Sequence, residues 1–269
     1  MIKHDESGAG DGNAVIKFVD LDQQPDPIRA LRDRIEGLPE WYLKDLLAGG
    51  IVEELVSGEK FSSPSAQMDI LPGGVVNVLA THEQILGGDT GQVFIGCCFP
   101  ADPAYAAELA AHGRVVGEQL ARKGALGRFS LDFAATRDSE GKWKVFTLEI
   151  NLRKGGTTHP YAALRNLVPG YYDAESGQWI ARDGTTRAYC STDNLVHESW
   201  LGLPPRRIID LVADAGLQFS YESGIGVVLH MLSCLEIDGR FGLTAIGTSP
   251  EHAVKLYDAA KVAVVQGVH

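Results

Sequence analysis

Positive charge is scarce in this chain. Lys and Arg number 24 against 35 Asp and Glu, a formal net charge of -11 at pH 7, which argues against a nucleic-acid backbone or an anionic membrane surface as the main partner. Cysteine is also scarce. Cys97, Cys98, Cys190 and Cys234 have no C-x-x-C spacing and sit among apolar or small neighbours, so buried reduced thiols and a cytoplasmic setting are expected. No apolar run reaches the roughly 18 residues of a membrane span, and no signal-peptide-like stretch follows Met1. There is no internal repeat, no Cys/His metal spacing and no evident nucleophile with a base, which leaves covalent catalysis little support.

What is present is ordinary for a globular protein: 269 residues, 45% apolar and 22% charged, enough for one large domain or two smaller ones. Patterning predicts strands near 1–5 and 14–20, then a helix from Asp26 to about Glu36 opened by Asp26 and Pro27. Strands are expected near 50–57, 64–71, 74–81 and 92–99, followed by a helix over about 103–123 with Tyr105, Leu109, Val116 and Leu120 as its buried stripe. A less regular stretch runs over 161–186. The chain then reads strand (187–196), helix (205–215), strand (225–236), strand (241–247) and helix (250–263), which makes an α+β protein of mainly antiparallel sheets with helices packed on one side.

The most informative stretch is GRFSLDFAATRDSEGKWKVFTLEINLR, residues 127–153. Two alternating runs flank Asp138, Ser139, Glu140 and Gly141, the signature of an antiparallel hairpin. A turn centred between Glu140 and Gly141 sets Asp132 opposite Glu149 and Ser130 opposite Asn151. One face then carries Phe129, Leu131, Phe133 and Ala135 against Phe146, Leu148, Ile150 and Leu152, and is expected to be core. The other face collects Arg128, Ser130, Asp132, Glu149, Asn151 and Arg153. Like charges directly opposed in a sheet are destabilising, so something positive belongs between Asp132 and Glu149. Either a hard divalent cation fills that place, since Mg²⁺ takes oxygen ligands from one or two carboxylates, or Arg153 or Arg128 neutralises the pair. The hairpin alone does not choose between them.

Other segments are weaker signals. SGAGDGNA, residues 7–14, offers glycines whose backbone amides can turn inward around phosphate oxygens, or simply a hairpin turn; it matches neither of the common phosphate-loop fingerprints. Lys3 stands just before it, either solvated or a phosphate clamp. IVEELVSGEK, residues 51–60, places Glu53 and Glu54 in an apolar strand, where they are solvated or accept from a nucleoside. His82, in THEQILGG, and His230, in GVVLHMLS, read as structural histidines.

Taken in order, these segments resemble the ATP-grasp superfamily. The pattern is a strand Lys (Lys3), a Gly-rich loop, the acidic IVEELV strand, Asp132 and a Glu-x-Asn formed by Glu149 and Asn151. EINLRKGGTTHP, with SPSAQ and THEQILGG before it, further resembles the pheganomycin-type peptide-ligase branch. The resemblance implies an ATP-grasp-like nucleotide- and metal-binding region over 1–165 and a small C-terminal α/β unit over 166–269. It implies an ATP-dependent carboxylate-amine ligase that forms an amide through an acyl phosphate, acting on small-molecule amino acids or peptides with ATP and Mg²⁺. Asp132, Glu149 and Asn151 would hold the metal. Lys3 and the loop residues Ser7, Gly8, Gly10, Gly12 and Asn13 would hold phosphates, while Glu53, Glu54 and Val56 would line the adenine hinge. Arg153, with Lys3, would serve the transferring phosphoryl group. Many ligases of the superfamily carry Arg two residues before the metal Asp, and this chain has Ser130 there. The family's N-terminal domain and a further phosphate-binding Lys are not in the sequence, so the resemblance implies a truncated chain; it leaves open a homo-oligomer and a nucleotide-binding module without ligase activity.

Overall fold

A computed structural model describes residues 1–5, 13–56, 58–88 and 91–267, the side chains of 18 and 19 excepted. The chain divides into two compact units. The first comprises Met1–Ser57 and Leu86–Phe94, the second Gly58–Ile85 and Ile95–His269.

The first unit holds β1 (Ile2–His4), β2 (Asn13–Ala14), α1 (Phe18–Asp22), α2 (Pro27–Glu36), α3 (Glu40–Ala48) and β3 (Gly50–Val52). β1 lies between β2 and β3, antiparallel to both. Asp26 caps α2 as its sequence predicts, its carboxylate accepting from the Arg29 amide at 3.0 Å. α3 was not expected from sequence; it brings Tyr42 to donate to the Ile2 carbonyl at 2.8 Å. Two expectations are corrected. The strand over 14–20 ends at Ala14 and gives way to α1, because Phe18 and Leu21 are three apart, a helical spacing rather than an alternation. The strand over 50–57 stops at Val52, where its three-residue partner β1 runs out. The Glu53 amide donates to the Met1 carbonyl at 2.9 Å and the Met1 ammonium to the Glu53 carbonyl at 2.7 Å, closing the ladder.

The second unit is built on β4 (Lys60–Ser62), β5 (Pro64–Ile70), most of β6 (Val76–Gly87), most of β7 (Val93–Phe99), β8 (Gly127–Arg137), β9 (Trp143–Asn151), β10 (Gly170–Asp173), β11 (Gln178–Ala181), β12 (Thr186–Val196), β13 (Gly226–His230) and β14 (Arg240–Gly247). They order as β10-β11-β12-β7-β6-β5-β8-β4, with β9 on β8, and β14 on both β12 and β13. The helices are α4 (Ala106–Arg122), α5 (Thr158–Leu167), α6 (Pro205–Asp214), α7 (Leu235–Asp238) and α8 (Pro250–Gly267).

α4 packs its expected stripe, including Tyr105 and Leu109, on Ala66, Met68, Ile70, Phe129, Leu131 and Phe133. Burying each such large side chain contributes about 1.5–3 kcal/mol. Gly113 and Gly117 let the helix come close: a Cβ on Gly117 would lie 2.6 Å from Val76 Cγ1 and 3.0 Å from Phe129 Cζ. A second core joins α6 and α8 to β13 and β14 through Ile208, Val212, Phe241, Leu243, Ala260 and Val264.

Further corrections follow the local chemistry. The stretch over 161–186 is regular: α5 followed by the β10–β11 hairpin, whose turn Asp173 closes by accepting from the Glu175 and Ser176 amides. The strand over 225–236 ends at His230, because Met231 adopts φ 57° and turns the chain toward α7. β6 runs on to Gly87, past the expected end at 81, so that THEQILG is strand.

Candidate active site

β8 and β9 pair antiparallel with Ser130 opposite Asn151, Leu131 opposite Ile150 and Asp132 opposite Glu149, the register expected from sequence. A bulge between Asp132 and Phe133 then shifts the ladder by one residue, so that Phe133 meets Thr147 and Ala134 meets Phe146. This corrects the expected apolar face. A one-residue shift reverses the side on which each later residue points, so Phe146 shares a face with Ala134 instead of Ala135, and Trp143 and Val145 pack on the core instead. Ile150, opposite Leu131, keeps the core side but stands 46% exposed, because β9 pairs only with β8 and lies at the sheet edge; Leu148, the extra residue of the bulge, is 42% exposed. The turn itself is centred on Glu140, one half-step from the expected centre, so that pairs beside it sum to 280, and the bulge just past the carboxylate pair is what sets Asp132 opposite Glu149.

Asp132 is gripped from both sides. Gln84, on β6, donates from Nε2 to its Oδ1 at 2.9 Å, and Asn151 donates from Nδ2 to its Oδ2, also at 2.9 Å. Burial and then the facing Glu149 charge push the Asp132 carboxyl up to about 6, against the opposing pull of Gln84, Arg153 and Asn151. Gln84 belongs to the site though sequence reading gave it no role. Its signal was position, two residues beyond the buried His82 and therefore on the same side of β6.

Two opposed carboxylates with the Asn151 carboxamide form an all-oxygen donor set. Among the described residues no three His, Cys, Asp or Glu side chains cluster as ligands; Mg²⁺ needs only one or two carboxylates from the protein, with other oxygens completing its shell. The elevated Asp132 carboxyl fits the same reading, since a cation there would relieve the repulsion that raises it. The alternative set out from sequence, neutralisation by arginine, finds no ion pair: among the described residues Arg128 and Arg153 form none. Arg153 is exposed and acts on Asp132 through its charge alone.

The remaining expected residues are distributed as follows. In the first unit Lys3 pairs with Glu53, Nζ to Oε2 at 2.6 Å, so the expected phosphate clamp and hinge acid neutralise each other. Asn13 lies on β2 opposite Lys3. Glu54 is exposed and Val56 half-buried. Ser7, Gly8, Gly10 and Gly12 lie outside the described residues. His82 is wholly buried with its Nε2 2.5 Å from the Tyr189 hydroxyl, and burial lowers it to about 3. Its neighbour Glu83 clasps Ser62, the Asp102 amide at 3.0 Å and the Tyr105 hydroxyl at 2.5 Å, a structural role.

Residues 37–166 match the family described as IQCH-like, ATP-grasp, and residues 207–260 match the PGM1 C-terminal domain. Over 226 residues the chain is 35% identical to the L-propargylglycine--L-glutamate ligase of Streptantibioticus cattleyicolor, a span of 81% of this chain and 43% of that protein. Over residues 37–166 the chain is an ATP-grasp match.

The fold agrees. The biotin carboxylase domain of Hydrogenobacter thermophilus 2-oxoglutarate carboxylase, solved with MgADP, ADP and bicarbonate, superposes with a TM-score of 0.58 at 12% identity, over 96% of this chain and 55% of that one. An ADP complex of N5-carboxyaminoimidazole ribonucleotide synthetase gives 0.51 at 13%, over 85% and 56%. The chain therefore spans less than half the length of the curated ligase and just over half of each solved chain.

Proposed function

We propose that the chain is the nucleotide- and metal-binding part of an ATP-dependent carboxylate-amine ligase, which forms an amide or peptide bond through an acyl phosphate. Its substrates would be a small-molecule carboxylate and an amine, in the class of amino acids or peptides, and its setting cytoplasmic. The observation that carries the reading is Asp132 opposed to Glu149, held by Gln84 and Asn151, in a chain 35% identical to an amino-acid ligase.

Asp132, Glu149 and the Asn151 oxygen would hold Mg²⁺, which when bound neutralises charge on the nucleotide phosphates. The protein's own residues do the rest. Gln84 and Asn151 keep Asp132 ionised and aimed, against the burial that favours its neutral form. Arg153 follows the metal-binding strand directly and would meet the transferring phosphoryl group, where a planar cation stabilises spreading negative charge. Lys3, Asn13 and the residues Ser7, Gly8, Gly10 and Gly12 would serve the phosphates, and Glu53, Glu54 and Val56 the adenine.

The test is ADP formation from ATP in the presence of paired L-amino acids, with Glu149→Gln as the control. Amino-acid-dependent ADP that the variant loses supports the ligase reading; equal ADP from both chains removes Glu149 from the chemistry. A second reading, nucleotide binding without ligation by this chain alone, is favoured by the Lys3–Glu53 pair, which neutralises the proposed phosphate lysine. It predicts Mg²⁺-dependent nucleotide binding with no amino-acid-stimulated ADP.

A further inference from the structure

The face that carries Asp132 and Glu149 continues across β5 and β6. Ser65 stands opposite Asp132 on one side and His82 on the other; Gln67 stands opposite Ser130 and Ala80; Asp69 stands opposite Arg128. Alternation therefore places Ser65 and Gln67 on the same face as Arg128, Ser130 and Asp132, while Ala66 and Met68 point into the α4 core. The result is a polar grid in two rows, His82-Ser65-Asp132-Glu149 and Ala80-Gln67-Ser130-Asn151.

Several members of this grid lack partners. Gln67 and Ser65 are each 1% exposed, yet both ends of the Gln67 carboxamide, the Ser65 hydroxyl and the Arg128 Nε meet no hydrogen-bond partner. Buried polar groups are normally satisfied, and a wholly unpaired carboxamide is costly enough to need an explanation. Arg128 and Arg165 both act electrostatically on the Tyr161 phenol, so two guanidinium groups lie around one side chain, and among the described residues neither is in an ion pair.

We propose that Gln67, with Ser65 and Arg128, recognises an α-amino acid beside the Asp132–Glu149 pair, the guanidinium taking a carboxylate and the Gln67 carbonyl an amine. The proposal rests on the ligase reading and adds to it the residues that select the substrate. The mixture of groups defines the ligand class. A guanidinium alone would suit any anion, including phosphate, but a fully ionised nucleotide phosphate has no donor for Gln67 Oε1; an apolar ligand would leave the carboxamide as it is. A zwitterion answers both. Gln67 and Ser65 come from the strand next to the proposed metal strand, so a ligand held there lies within one strand spacing of Asp132, where an activated carboxylate would be attacked.

The test titrates the full chain with each of the twenty L-amino acids, with and without Mg²⁺ and a non-hydrolysable ATP analogue, and with glutarate as a carboxylate lacking an amine. Gln67→Leu should weaken the best amino acid at least tenfold, leave the nucleotide affinity unchanged and scarcely alter glutarate; Arg128→Gln should weaken both acids. Ser65→Ala, a smaller change, guards against misfolding and should weaken the amino acid several-fold. An amino acid bound equally by Gln67→Leu and by the parent chain, or none bound while nucleotide binds, overturns the proposal and leaves the nucleotide floor standing. Gln67-dependent amino-acid binding without any nucleotide binding supports the proposal and overturns the ATP reading. Silence to both ligands in a folded chain overturns both.

Discussion

Asp132 faces Glu149 directly across β8 and β9, and burial together with that facing charge raises its carboxyl to about 6. The folded protein therefore holds a proton that the unfolded chain, with an ordinary carboxyl near 3.8, has already lost. Between about pH 4 and 6 the folded state binds more protons, so stability falls as pH rises through that window and levels off above it; a shift of about two units corresponds to about 3 kcal/mol at most. Urea unfolding in chelator at pH 4.5 and 7.5 checks this. In Glu149→Gln the Asp132 carboxyl should titrate lower but still above 3.8, since burial is the larger cause, and the fall should shrink by up to about 1 kcal/mol. An unchanged titration would show that the two carboxylates do not sense each other.

Cation binding should reverse the sign. Mg²⁺ needs Asp132 ionised, so below pH 6 each Mg²⁺-nucleotide bound should release close to one proton, and affinity should fall about tenfold per pH unit. Calorimetry in buffers of different ionisation enthalpy counts that proton. Release near zero at pH 5 would place the cation elsewhere.

Gln84 offers a test of positioning. Gln84→Leu removes the 2.9 Å hydrogen bond to Asp132, so the carboxyl should move further up and Mg²⁺-nucleotide binding should weaken by about 10–100-fold, the usual cost of losing a partner behind a metal ligand. The midpoint of this variant's Asp132 titration, followed by carboxyl carbon NMR, separates positioning from general damage. A folded variant with an unmoved midpoint would contradict the role.

α4 docks through glycine. Gly117→Ala would gain about 1 kcal/mol of helix propensity, but its Cβ would stand 2.6 Å from Val76 Cγ1, and forced overpacking costs about 1–3 kcal/mol. Denaturant unfolding should show net destabilisation; a more stable variant would mean that the helix can shift away from β6 at little cost.

The hairpin was legible because two local signals agree, the Asp-Ser-Glu-Gly turn and the alternation on both sides, but its register was not: pairs beside the turn sum to 280, and the bulge brings Asp132 opposite Glu149. The bulge after Asp132 was not legible: nothing in AATRDSEGKWKVF distinguishes a ladder summing to 281 from one summing to 280, and the choice is made by Trp143 and Val145 packing on the α4 core. The alternation of Leu148, Ile150 and Leu152 predicts a buried face for β9, whereas burial depends on a neighbouring strand that alternation cannot report. Gln84 went unassigned for a similar reason. Its bond to Asp132 spans 48 positions and crosses between strands that do not adjoin, a relationship fixed by sheet order rather than by any local pattern.

The central claim is that the polar face of β8 and β9 is a cation and phosphate floor. Calorimetric titration with a non-hydrolysable ATP analogue, with and without Mg²⁺, in the parent chain and in Glu149→Gln, tests it most directly. The account predicts Mg²⁺-dependent binding in the parent that Glu149→Gln weakens by at least tenfold while remaining folded. Equal binding by both chains, or binding indifferent to Mg²⁺, would contradict it.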